Sequence, residues 1–126
     1  MARHPLPPPN AASVADQRAL EKGASRHRRQ ELADLGAVLL TAEGRRVIWR
    51  LLEHFGAFRS VFDPQPALMA YQAGRQDDGH WLLAELAAVD PAAVYRLAEE
   101  AHARDDRELE VDDSLRMTLA GSEAEP

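Results

Sequence analysis

The chain of 126 residues carries a formal net charge of −6, 45% hydrophobic residues and no cysteine, which suits one small soluble domain and excludes disulfides and thiolate chemistry. No apolar run approaches the ~20 residues needed to cross a bilayer, and MARHPLPPPN has no apolar segment of the signal-peptide kind, so a cytosolic protein without a membrane partner is expected. The charge is unevenly spread: residues 1–30 hold six Arg or Lys against two acids, residues 31–104 seven Arg against eleven acids, and residues 105–126 two Arg against eight acids. A basic beginning and an acidic end on one small body point to electrostatic docking on other macromolecules, or on each other.

In chain order, residues 4–10 (HPLPPPN) contain four prolines, favour extended polyproline conformations and define a proline-rich arm over residues 1–12. Ser13 is placed to cap a helix running through QRALEKGASRHRRQELADL, with Asp16 at the third position near its positive end. The first half of that helix is nearly all polar, and Gly23 and Ser25 lower its propensity. A protruding or frayed segment is therefore predicted, gaining an apolar face only from Leu32, Leu35, Val38 and Leu39. Thr41 caps a second helix over residues 42–55, closed by Gly56 in the left-handed conformation. Its stripe is Val47, Ile48, Leu51, Leu52 and Phe55, with Arg45, Arg46, Arg50 and Glu53 mostly opposite. The segment AFRSVFDPQP has two prolines and no period, and is expected to be an ordered loop pinned by Phe58, Val61 and Phe62.

Asp63 with Pro64, or Pro66 two residues later, starts a third helix that runs to Val89 on a face of Leu68, Tyr71, Leu82 and Leu86. Its centre holds Gly74, Arg75, Asp77, Asp78 and Gly79. Two alternatives follow: the helix breaks there, or the glycines admit a close helix crossing and the charges are paired. Asp90 and Pro91 are the cap and first position of a fourth helix, with Val94, Leu97, Ala98 and Ala101 facing inward. Residues 105–126 read as an acidic tail with too little periodic apolar content for structure. The expected fold is all-α: a small bundle of three to four helices over residues 13–104, with a compact core over 31–104 and disordered or extended ends. So small a core is marginal alone, and a partner or a homo-oligomer would complete it.

Few residues carry recognisable chemistry. Asp77 and His80 share a helical face, with Asp78 beside them and Glu85 further along; that could hold one metal ion, but no second His pair or H-E-x-x-H pattern supports it. A solvated or ion-paired face is the expectation, and no catalytic residue, metal or cofactor is assigned. The run RHRRQ at residues 26–30 could bind phosphates through its guanidinium groups, yet it lacks interleaved aromatics, a glycine-rich loop and a recognition-helix pattern. Arg26, Arg28 and Arg29 are therefore assigned to a partner-facing patch for an acidic protein, with sequence-specific nucleic-acid reading disfavoured. Trp49 and Trp81 are expected to seal the core. Phe58 and Phe62 are expected as internal cover over the second and third helices, leaving Arg59 free to pair with a partner's carboxylate.

The order of GRRVIWRLLEHFGAFRSVF, YQAGRQDDGHWLLAEL and DPAAVYRL resembles a family of small proteins encoded by short-tailed bacteriophages, first defined on a Bordetella phage protein, and covers about residues 34–101. The resemblance implies a gene close to those for portal and capsid. It therefore implies a non-enzymatic role in particle assembly or in the virion, docked on a larger phage protein such as portal or capsid, in the host cytoplasm during assembly. The alternative is a small DNA-binding or regulatory phage protein acting through its basic N-terminal segment. The chain departs from the family pattern at Asp77, Asp78 and His80, where a less acidic segment with an apolar residue before the Trp is usual. On this resemblance GRRVIWRLLEHFGAFRSVF is a core helix plus an aromatic loop that locks it to the helix carrying Trp81.

Overall fold

The computed structural model describes residues 11–123, so the proline-rich segment of residues 4–10 lies outside the described residues. Four helices follow one another: α1 (Ala11–Leu39), α2 (Ala42–His54), α3 (Pro66–Val89) and α4 (Ala93–Glu123). Among the described residues there is no strand, and the all-α class is as expected.

Local chemistry sets most of the boundaries. Thr41 is extended (φ −99°, ψ 146°) and its hydroxyl accepts the Gly44 N–H at 3.0 Å, which starts α2. At the other end Gly56 takes φ +67°. The Ala57 N–H then reaches the Leu52 carbonyl at 3.1 Å and the Gly56 N–H the Glu53 carbonyl at 3.0 Å, the paired bonds of a Schellman turn. Pro66 opens α3, where its missing N–H costs nothing. Asp90 closes α3 in an extended conformation, and its carboxylate accepts the Ala92 N–H at 2.9 Å, turning the chain into α4.

The direction of travel follows from side-chain neighbours. Arg28 meets Glu85 and Gly36 faces Val89, so α1 and α3 run the same way. Arg45 meets Glu100, while the end of α2 at Glu53 shares a groove with Arg104 and Asp105, so α2 and α4 also run alike. The chain goes up, down, up and down. Helices α1 and α4 stand at opposite corners and make no close contact with each other, whereas α2 and α3 meet across the middle. The core is Leu39, Ile48, Leu52, Ala57, Leu82, Leu86, Ala93 and Leu97. Leu52, Leu86 and Leu97 are fully buried.

Helix α3 is continuous through its polar centre, and its two glycines differ. Gly79 is buried, and a Cβ there would lie 3.0 Å from the Ala57 Cβ and 3.1 Å from the Phe55 Cβ, so it is the close crossing of α3 on the α2 turn. Gly74 faces open space. Asp77 and Asp78 are exposed and have no ion-pair partner among the described residues.

Several expectations are corrected. Ser13 lies inside α1, which already runs from Ala11. Trp81 is 64% exposed and does not seal the core: Leu82 takes the inward direction, leaving Trp81 on the flank of α3 one turn before Glu85. Phe58 and Phe62 are 56% and 77% exposed, so neither is internal cover; the small Ala57 is what the turn buries. Val47, Leu51, Leu68 and Tyr71 are exposed rather than packed. Finally, α4 does not stop at Arg104 but continues to Glu123. Val111, Leu115 and Leu119 recur every fourth residue there, a helical period hidden by seven intervening or flanking acids.

Candidate docking surface

The best-defined surface feature is the loop after α2. Its backbone is held from α3: the Gln76 amide donates to the Gly56 carbonyl at 3.0 Å and to the Arg59 carbonyl at 2.6 Å, and the Arg75 guanidinium donates to the His54 carbonyl. The Arg59 N–H closes a further turn onto the Gly56 carbonyl. While the backbone is fixed, the rings stay outside. Phe58 stacks on Trp49 with centroids 5.6 Å apart and planes 27° apart, and Phe62 stands almost clear of the body. Arg59, an expected partner-facing charge, is exposed and lines a shallow cleft of about 160 Å³ with His54, Arg75, Ser60 and Gln72. The loop does lock α2 to α3, but through carbonyls gripped by Gln76 and Arg75 and through Ala57 on Gly79, not through its aromatic rings. Gln76 was not singled out by sequence reasoning; a lone glutamine on a helix offers no signal of what it will reach.

The other expected contact residues divide. Arg26 and Arg29 are exposed with no ion pair among the described residues. Arg28 is turned onto the body: its guanidinium grips both Glu85 oxygens at 2.6 and 2.7 Å and also reaches Glu31 at 3.2 Å. This fork clasps α1 to α3. The hydrogen bond from Arg28 holds the Glu85 carboxyl below its ordinary value, and the same bond raises Arg28. A carboxylate with a depressed folded value stabilises the fold at pH above its unfolded value, and that contribution disappears as pH falls through the folded value. Glu85→Gln should therefore be less stable than the parent at pH 7, with the gap closing as pH drops below about 4.5. Urea unfolding of both chains across that range checks it, and a gap independent of pH would assign the loss to packing.

A second clasp, Arg45, donates to Glu100 at 3.0 Å and to the Leu39 carbonyl at 3.0 Å, tying the α1–α2 corner to α4. Asp77, Asp78 and His80 stand exposed on α3 while Glu85 is committed to Arg28. Among the described residues no group of three His, Cys, Asp or Glu side chains is placed to hold a metal ion, and no helix is long and apolar enough to cross a membrane.

No curated protein and no solved structure matches the chain. A family model described as Bbp19-like phage protein matches residues 36–99. That segment begins in the last turn of α1, includes α2, the clamped loop and α3, and ends in the second turn of α4, so it coincides with the packed body and stops short of both projecting helix halves. Over half its length, then, and over the whole of its main buried cluster, this chain belongs to the family of Bbp19-like phage proteins.

Proposed function

We propose that the protein is a non-enzymatic component of phage assembly or of the virion, docked on a larger phage protein such as portal or capsid in the host cytoplasm, and that the loop of residues 57–62 is its contact. Membership of a phage protein family supports the setting. The observation that supports docking is a rigid loop with outward rings: Phe62 stands in solvent and Phe58, stacked on Trp49, is half exposed beside Arg59, while Gln76 and Arg75 fix the backbone beneath them. Exposed aromatic groups beside an arginine are the usual anchors of protein interfaces. A backbone already fixed loses little further entropy on binding. Mass spectrometry of purified particles and of assembly intermediates tests the reading; absence of the chain from both refutes it. Phe62→Ala should change stability by no more than about 0.5 kcal/mol, as for other surface sites, and abolish association with the particle protein. A loss of about 3 kcal/mol or more, the value for a core phenylalanine, would show that the ring serves the fold.

One observation favours a second reading. Arg18, Lys22, Arg26 and Arg29 fall within about 80° on the surface of α1 and have no ion pair among the described residues. Such a stripe suits phosphate contacts of a DNA-binding or regulatory protein. Salt-sensitive binding to duplex DNA that disappears when residues 1–30 are removed would decide for it. The acidic half of α4 opposes it, since it leaves the body toward the same end and would repel the duplex.

A further inference from the structure

Two long helix halves extend from the body and are exposed along their length. Residues 13–27 of α1 and 105–123 of α4 are exposed throughout apart from the partly covered Gly23, and they form 34 of the 49 described helical residues outside the family segment. Isolated helices of this length are marginal in water, so their helical state calls for a surface to lie on. They are also opposite in sign. The α1 half bears Arg18, Lys22 and Arg26 against Asp16 and Glu21, a net charge of +1, and its basic stripe is continued by Arg29. The α4 half bears Asp105, Asp106, Glu108, Glu110, Asp112, Asp113 and Glu123 against Arg107 and Arg116.

The α4 half is amphipathic as well as acidic. With 3.6 residues per turn, Val111, Leu115 and Leu119 fall within about 40° of Leu97, so the core-facing stripe of α4 runs on past the body with no core to face. Asp105 and Asp112 run along one side of that stripe, and Glu108 falls within it. On α1, Val14 adjoins the basic stripe in the same manner. Within one chain the halves cannot satisfy each other, because α1 and α4 occupy opposite corners and nowhere approach. Both nevertheless point toward the end of the body where α2 finishes and α3 begins. Two copies facing each other at that end can therefore exchange both pairs at once, and a two-fold exchange closes without leaving an unpaired arm.

We propose that the occupant of these faces is a second copy of this chain, and that the protein dimerises by laying the basic half of α1 of each copy against the acidic, apolar-striped half of α4 of the other. The proposal uses no contact of the docking loop, although that loop joins α2 to α3 at the same end of the body, and its test does not require the phage partner.

The test is the solution mass of the full chain by light scattering or sedimentation. In about 0.05 M salt it should be twice 13.9 kDa, returning to the single-chain value in about 1 M salt, where screening shortens charge interactions to roughly 3 Å. Arg18→Glu, Lys22→Glu and Arg26→Glu in one variant, and Asp105→Lys, Glu108→Lys and Asp112→Lys in another, should each be monomeric alone, because each then carries two arms of like sign. An equimolar mixture of the two should regain the dimer mass. A wild-type chain that stays monomeric in low salt up to about 100 µM, far above the micromolar range of a weak interface, overturns the proposal whether or not its basic stripe then binds DNA. So does a dimer indifferent to salt and kept by both variants. The wild-type salt series is decisive by itself, so a variant whose helicity by circular dichroism has collapsed cannot shelter the idea.

Discussion

Leu86→Ala is expected to cost about 2–5 kcal/mol, enough to remove the cooperative thermal transition of this chain. Leu86 is fully buried where α3 meets the other helices, and its cluster has only eight buried members, two of them alanines. Domains in general hold about 5–15 kcal/mol in total, and a body this small sits at the low end because little of its surface is hidden. The cavity also has no route to collapse. Arg28 on Glu85, one residue before it, pins α3 to α1. On the opposite side Gln76 and Gly79 pin α3 to the α2 turn. Thermal unfolding followed by circular dichroism measures the effect; a loss under about 1 kcal/mol would mean that the helices close over the gap and that those clasps are weaker than their geometry implies.

What could be read from the sequence was what a few adjacent residues decide. Thr41 as cap, Gly56 as left-handed terminator and Pro66 as helix opener each act within one turn, and each stands where expected. The inward Leu52, Leu82, Leu86 and Leu97 follow from helical period. What could not be read depends on which neighbour arrives from elsewhere. Arg28 looked like a free surface charge because its partner Glu85 is 57 residues away and only the packing of α1 on α3 brings them together. Phe58, Phe62 and Trp81 looked buried because aromatic side chains usually are, yet among the described residues no helix passes over the sides of the body where they stand. The far half of α4 looked unstructured because its acids outweigh its apolar residues; the signal that could have found it was the fourfold spacing of Val111, Leu115 and Leu119. At the candidate site the sequence singled out Arg59 and its flanking rings but assigned the rings the opposite face. The reason is that the clamp on the loop comes from the amide of Gln76 rather than from burial.

The second large effect is expected at Gly44, where replacement by alanine should be more damaging than the one added methyl group suggests. Gly44 lies in the first turn of α2, directly under the last turn of α1. A Cβ there would fall 1.9 Å from the Val38 carbonyl oxygen and 2.8 Å from the Thr41 hydroxyl oxygen. The first of these is a backbone atom, so no side-chain rotation relieves it, and the second is the cap that starts α2. Either the two-residue corner between α1 and α2 opens or the cap is lost. Loss of a capping side chain costs about 0.5–2 kcal/mol, and overpacking about 1–3 kcal/mol. Opening the corner also moves Arg45, which holds the Leu39 carbonyl and Glu100 from the next residue. Against this stands a gain of about 1 kcal/mol from alanine over glycine in a helix, too small to offset the clash. Gly74→Ala supplies the control: it adds the same methyl to the middle of α3, where nothing lies within 4 Å, and should raise stability by up to about 1 kcal/mol. Urea unfolding of the two variants beside the parent should move their midpoints in opposite directions. A Gly44→Ala chain as stable as the parent would show that the α1–α2 corner can shift by more than an ångström at no cost, and that Thr41 and Arg45 do not fix it.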